Sequence, residues 1–498
     1  MDHCILKAKL VDINTGGNLV VFLNSEDAQK YNIEDSDRLM MSWKKAGGVV
    51  VEVHLSEDFI PQGKIGLSSE IQDKLHIKNG EEIKLRVIDV PESVRAIARQ
   101  LNGVDLDYQQ IESIIKDIVN YRLDDVMVAF YLAGAFWDGA DYDKIYNITK
   151  AMVETGHVFE FKGEVVDKHS TGGLSGNRIT PLIVSIVASL GIKFPKTSSR
   201  AVTSPAGTAD TMEVLMPVTF DNKGIKEIVD QAGACIVWGA KDIAPSDDRI
   251  IKVAHQLPTE PTNKMITSIM AKKVAMDANY LVIDVPVNST AKVKTLDQAR
   301  EIKSVFEYLG KRFGIKVKVL PYESKDPVGQ GIGPALEARD VLRVIQRKKD
   351  RPLDLEEKAV FFSGQLLELV GRAESGEGTE LAQKQLDSGA AEEKLREIIK
   401  VQGGDPKIDS EEIKIGQEVY EVKAEKDGHV KLINDSHLDW LARILGAPSI
   451  KEAGLYLYKG AGDEVKKGEV LFALYANNKR RLKATRDSLD DNPIYYVS

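Results

Sequence analysis

Along residues 1–88 the apolar positions fall in short β-branched runs, "GNLVVFLN", "GGVVVEVHL" and "GEEIKLRVIDV", separated by Gly, Asn and Asp. Such runs between turn residues predict strands, and together they predict a small β-rich, barrel-like N-terminal domain. Two stretches opened by serine, "SEDAQKYNI" and "SSEIQDKLHI", predict short helices starting at Ser25 and at Ser68 or Ser69, because a serine oxygen can cap a helix start. Pro91 follows a charge-rich edge, which sets a boundary near residues 88–93.

Beyond that boundary the period changes. In "VRAIARQL", "DYQQIESIIKDIVNYRL" and "DDVMVAFYLAGAFW" the apolar residues recur at spacings of three and four, which predicts helices over residues 93–157. Gly156 is the expected end of the last of them. The run "VMVAFYLAGAFW" is apolar on all sides, as an interface or a core helix would be. From residue 160 to about 345, apolar strands such as "GEVVDKHS", "NYLVIDVPV" and "KVKVLPY" alternate with helical stretches such as "LDQAREIKSVFEYLGKRFG". That alternation predicts an α/β fold with a parallel or mixed sheet. Residues 353–404 read as helices, and from about 412 onward strands and turns return.

Composition narrows the function. A chain of 498 residues has room for about three domains. Net charge is −9, from 67 Lys and Arg against 76 Asp and Glu, which disfavours a general nucleic-acid coat. With only Cys4 and Cys235, neither a disulfide scaffold nor a structural zinc site is expected, and no metal site is expected elsewhere. The N-terminus lacks a secretory pattern, and the longest apolar runs, such as "LIVSIVASLGI", are too short to span a bilayer. A cytoplasmic protein without a membrane partner is the expectation.

Two stretches carry candidate chemistry. "DKHSTGGLSGNRITP", residues 167–181, places Lys168, His169, Ser170, Thr171 and two glycines between an expected strand and an apolar helix. Glycines let backbone N–H groups approach an anion, a helix start adds donors, and lysine adds a point charge. Its spacing is not that of a Walker loop. "KTSSRAVTSPAGTADTMEVL", residues 196–215, is a second hydroxyl-rich turn about 30 residues further on. If both lie at the carboxyl edge of the sheet, where open α/β sheets bind ligands, they form a two-sided phosphate cradle.

The ordered set "DKHSTGG", "TSSR…GTADTMEVL" and "SIMAKK" (268–273) resembles the nucleoside phosphorylase family that includes thymidine and pyrimidine nucleoside phosphorylases. The resemblance covers roughly residues 93–490. The β-rich domain at 1–88, the form "TSSRAVTSPAGTAD" and the stretch "NSTAKVKT" (288–295) resemble its archaeal AMP phosphorylase branch.

The resemblance implies a class II nucleoside phosphorylase fold. Its helical domain would take in 93–157 and about 243–275, and its α/β domain, with a central mixed sheet, 160–242 and 276–498. It implies that Lys168, Ser170, Gly172, Ser198 and Thr208 hold inorganic phosphate. Nucleotide contacts would come from Gly172, Ser198, Ser199, Arg200, Ala201, Val202, Thr203, Gly207, Ser268, Lys272 and Lys292, with Lys292 suited to a 5′-phosphate. The arginine that grips a pyrimidine carbonyl in the family is Val253 here, flanked by Lys252 and His255, which disfavours the pyrimidine reading.

A general acid is expected eight residues before Ser268, at Glu260, where the branch carries Asp; Asp247 and His169 compete for the role. The implied reaction is phosphorolysis of a nucleoside monophosphate, AMP above all, with phosphate as co-substrate and no cofactor, in a homodimer or larger assembly. The alternatives are a phosphorylase of unphosphorylated thymidine or pyrimidine nucleosides, an anthranilate-type phosphoribosyltransferase, and a nucleotide-sensing or DNA-binding regulator, which the lack of a basic stripe disfavours.

Overall fold

The computed structural model describes residues 4–44, 48–88, 90–136, 141–201, 204–239, 243–256, 261–288, 292–324, 327–489 and 491–498. The chain divides into two compact units, Met1–Gly139 with Ser246–Pro258, and Ala140–Pro245 with Thr259–Ser498.

In the first unit, strands β1 (Cys4–Leu10), β2 (Val20–Asn24), β3 (Arg38–Trp43), β4 (Val49–Ser56), β5 (Lys64–Leu67) and β6 (Glu82–Val87) close a barrel in the order β1-β5-β2-β4-β3-β6. Alternate residues point inward, among them Leu6, Val21, Leu39, Val51, Ile65 and Leu85, as a period of two requires. The short helices α1 (Ser25–Tyr31) and α2 (Ser69–Leu75) stand where expected. Asn24 rather than Ser25 caps α1, its Oδ1 accepting from the Glu26 N–H at 3.0 Å. Three helices follow, α3 (Glu92–Leu101), α4 (Tyr108–Val119) and α5 (Asp125–Phe136).

The second unit opens with α6 (Tyr142–Glu154), which packs on helices downstream through Ile145. That packing groups α6 with the sheet, so the division falls inside the expected helical segment 93–157. Gly156 follows α6 outside the left-handed region; a side chain there would collide with the Ile243 carbonyl, so close approach and not capping requires the glycine.

Next come β7 (Val166–Ser170), α7 (Ile179–Ala188), β8 (Phe194–Ser198), α8 (Thr208–Met212), α9 (Asn222–Ala232) and β9 (Ala234–Trp238). Helix α10 (Pro245–Ala254) lies almost wholly in the first unit, where Arg249 donates to the carbonyls of Ile118 and Leu123. The chain then forms α11 (Thr262–Ala275), β10 (Tyr280–Val287), α12 (Leu296–Phe313), β11 (Lys316–Glu323), β12 (Gly331–Ile332), α13 (Pro334–Ile345), α14 (Leu353–Val370), α15 (Gly378–Asp387) and α16 (Ala390–Val401). The C-terminal segment holds β13 (Glu418–Lys423), β14 (Gly428–Ile433), α17 (Asp435–Leu445), β15 (Gly454–Leu457), β16 (Glu464–Val465), β17 (Val470–Ala476), α18 (Lys479–Asp487) and β18 (Tyr495–Val497). Helices α17 and α18 thus interrupt a tail expected as strands and turns.

Strands β11, β10 and β7 pair in parallel, as do β8 and β9. A parallel bridge between Val165 and Lys193 joins the two groups. Among the described residues, antiparallel pairing in this unit involves strands of the C-terminal segment, with β12 joining it through β15.

Successive β10 residues serve opposite faces. Leu281, Ile283 and Val285 pack with α11 and α12, whereas Val282 joins the core of α7, α13, α14 and α16. Helix α7 is buried along its whole length, which accounts for its lack of an amphipathic stripe. Each fully buried Leu, Ile or Val contributes about 1.5–3 kcal/mol. The result is a well-packed sheet whose carboxyl edge carries Ser170, Ser198 and Val287.

Candidate active site

The turn after β7 starts at that edge. Thr171 N–H donates to the Asp284 carbonyl at 2.9 Å, which extends the β7–β10 pairing by one bond. Gly172 and Gly173 then adopt φ of 86° and 93°, a backbone that residues with a Cβ rarely enter. Helix α7 begins only at Ile179, so the glycine bend does not run straight into a helix start as expected; Leu174–Arg178 intervene.

Lys168 does not point into solvent. Its Nζ donates to Asp284 Oδ2 at 3.0 Å, and both side chains are buried. Burial pulls the Lys168 ammonium below its ordinary value, while Asp284 opposes that shift. A second lysine, Lys358 on α14, stands 3.9 Å from the same oxygen and donates to the Tyr322 hydroxyl; burial brings it down to about 8.

Next to Lys168, Asp167 takes Lys273 at 2.6 Å and Lys196 at 3.1 Å. Burial and the charges of Lys273, Lys196, Lys272 and Lys168 hold His169 well below the usual imidazole range. Those surroundings favour the neutral imidazole over the imidazolium.

The second turn begins at Ser198. Asp210 organises it, Oδ2 accepting from the N–H groups of Ala201 at 2.6 Å and Gly207 at 2.9 Å. A Cβ at Gly207 would collide with backbone atoms of Ser199, Arg200 and Ala201. Arg200 forks onto Glu213 at 2.8 and 2.6 Å, reaches Asp210 at 3.2 Å and lies 5.1 Å over the Trp238 ring. Its partners raise Arg200 above its ordinary value and draw Glu213 down to about 2.

The two turns are joined by Arg178, which donates to Thr208 Oγ1 at 2.9 Å, to the Ala206 carbonyl at 3.0 Å and to Glu337 at 2.7 Å. Four buried hydroxyl or ring atoms at this edge have no hydrogen-bond partner among the described residues: His169 Nδ1, Thr171 Oγ1, Thr197 Oγ1 and Ser198 Oγ. Buried polar atoms are normally paired, so each of these is available to a polar ligand or a water at this edge.

The other expected residues distribute as follows. Lys292 precedes Val293, which bridges to Val287, and its Cε stands 3.8 Å from where a Gly172 Cβ would be. Ser268 and Lys272 share a face of α11, with Nζ and Oγ 3.3 Å apart. Asp247 is buried on α10 in the first unit. Glu260, Val202 and Thr203 lie outside the described residues.

Arg178, Asp284, Lys358 and Glu337 were not singled out in the sequence. Asp284 had a signal, a charge inside the apolar strand "NYLVIDVPV". Glu337 had little, because α13 shows an amphipathic pattern yet is buried on every side.

Hydroxyl-rich, lysine-bearing turns at the carboxyl edge of a parallel sheet suit a pentosyltransferase. Residues 162–392 match the glycosyl transferase family a/b domain, and 430–495 match the pyrimidine nucleoside phosphorylase C-terminal domain. The fold is similar to that of anthranilate phosphoribosyltransferase from Thermus thermophilus, with a TM-score of 0.52 and 18% identity over 62% of this chain and 99% of that one. AMP phosphorylases from Pyrococcus furiosus and Thermococcus kodakarensis are 39% and 40% identical to it, each over 96% of this chain and 94% of theirs. AMP phosphorylase 1 from Archaeoglobus fulgidus is 38% identical over the same shares. The chain belongs to the AMP phosphorylase family.

Proposed function

We propose that this protein catalyses the reversible phosphorolysis of AMP, releasing adenine and ribose 1,5-bisphosphate in nucleotide salvage. The observation that carries the reading is the approach of Lys292 to Gly172. It sets a cation beside the turn that carries Thr171, whose buried Oγ1 has no partner among the described residues.

In the reaction, an oxygen of phosphate forms a bond to C1′ as the C1′–N9 bond breaks. The electron pair of that bond leaves with the base, and a proton delivered to N7 eases its departure. Ser170, Ser198 and Thr208 would supply hydroxyls to the phosphate, and Lys168 its charge. Fixing the phosphate under the ribose turns a chance encounter into a directed attack.

Lys292 would hold the 5′-phosphate of the nucleotide, and Ser268 and Lys272 the base. Glu260, Asp247 or His169 would supply the proton; burial and the charges around His169, which favour its neutral form, disfavour it of the three. An unphosphorylated nucleoside would offer the Lys292 charge nothing, which disfavours a pyrimidine nucleoside activity.

The reaction so proposed uses phosphate as co-substrate and no resident cofactor, so dialysis against a chelator should leave the rate unchanged. We also propose a cytoplasmic homodimer or larger assembly. Among the described residues no helix is long and apolar enough to cross a membrane, and α5 exposes Val126 and Phe130. Sedimentation gives the assembly size. Chromatography after incubation with AMP and phosphate tests the activity: adenine and ribose 1,5-bisphosphate should appear, and equal rates with adenosine or thymidine would refute the role of the 5′-phosphate.

A further inference from the structure

The segment between the glycine bend and Arg178 is held from two sides. Its backbone is pinned at Ser175, whose carbonyl accepts from Val328 N–H at 3.1 Å. Gly176, with φ of 76°, lies so close to the Val328 carbonyl that any Cβ would collide with it. The side chain of Ser175 is held from the C-terminal segment, its Oγ donating to Asp439 Oδ1 at 2.6 Å. Asp439 is on α17, 264 residues away in sequence.

We infer that Asp439 is a positioning residue for phosphate, acting through Ser175 to hold residues 171–178 in their binding shape. The inference rests on the phosphorolysis reading for its consequence and on geometry for its cause. Gly172, Gly173 and Gly176 all have positive φ, and glycines lose the most conformational freedom on ordering. Without the Ser175 tether the segment would have to be ordered by the ligand itself, at a cost in affinity. At its far end Arg178 grips Thr208 and Ala206 of the second turn, so a loosened segment disturbs both halves of the cradle.

The charged surroundings of Asp439 fit a built contact. Burial pushes its carboxyl up to about 7; the Ser175 hydrogen bond and Arg178 draw it down, while Asp435 of its own helix and Glu337 of α13 push it up. The C-terminal segment is thus part of the site as well as of the scaffold.

The test is binding of inorganic phosphate to the full-length protein by titration calorimetry, alongside AMP turnover. Ser175→Ala and Asp439→Ala should each weaken phosphate binding about tenfold and raise the phosphate KM to match, with kcat within about twofold, as loss of a buried hydrogen bond predicts. The double variant should be no worse than either single one, because both remove the same bond. Asp439→Asn keeps an acceptor and should restore most of the affinity.

Unchanged phosphate affinity in Ser175→Ala, additive losses in the double variant, or failure of Asp439→Asn to rescue would each overturn the inference. Ser175→Ala removes a single oxygen and keeps the test open should Asp439→Ala fold poorly. If the wild type binds phosphate with these dependences but releases no adenine from AMP, the proposed activity fails while the tether stands.

Discussion

Lys168 and Asp284 form a buried ion pair, Nζ to Oδ2 at 3.0 Å, across two neighbouring parallel strands. In the register Asp284 stands opposite Ser170, two residues along β7 from Lys168, and its carbonyl accepts the first N–H of the glycine turn. One residue therefore steadies both the charge and the backbone of the turn.

Breaking a buried pair by removing one partner leaves a charge uncompensated and typically costs about 3–5 kcal/mol. Asp284→Asn should lose stability of that order in urea denaturation, because Lys168 and Lys358 would then confront each other without their shared carboxylate. A loss below about 1 kcal/mol would mean that water reaches the pair.

Lys292 stands over Gly172, so its charge should matter for AMP and little for adenosine. Lys292→Ala is expected to raise the AMP KM at least tenfold with less than a twofold effect on adenosine, in line with about 1.5–3 kcal/mol for a charged hydrogen bond. Steady-state kinetics with both substrates decides; equal losses reject the assignment.

Gly207 has no room for a methyl group against the backbone of Ser199–Ala201. Gly207→Ala should therefore open the second turn and cut phosphate affinity at least tenfold. Its thermal midpoint should fall by only a few degrees, since overpacking costs about 1–3 kcal/mol. Calorimetric titration with phosphate and a melting curve separate the two effects.

The stability of the chain should carry a pH signature from Asp439. With its folded value raised to about 7 from an ordinary value of 3.8, the folded chain holds a proton that the unfolded chain has already released. The resulting stabilisation is present below about pH 4 and lost as pH rises through about 7. Asp439→Asn lacks this term, so its melting temperature relative to wild type should increase from pH 5 to pH 8. A constant difference across that range would show that Asp439 does not titrate there.

In the proposed reaction Glu260 and Asp247 are candidates to protonate N7. Replacing the true acid by its amide should lower kcat for AMP about 10²–10⁴-fold and remove one limb of the pH–rate profile. Glu260→Gln and Asp247→Asn measured side by side identify which it is, and two unaffected variants would remove both.

Much of this was legible in the chain. The barrel strands at "GNLVVFLN" and "GGVVVEVHL" and the helices of 93–136 follow from period alone. Short strands such as β5, four residues long, had too few positions to show a period, and barrel closure selected them. Helix α17 was hidden among turn residues although "HLDWLARILG" has helical spacing.

The local pattern determined which bends carry glycines, hydroxyls and lysines, because strand ends and φ-permissive residues are written in neighbouring positions. Only the tertiary structure decided what those groups meet: Asp284 under Lys168, Arg178 between the two turns, Asp439 on Ser175. These partners lie 30 to 264 residues apart, and nothing in a short window of sequence encodes a distance that packing alone creates.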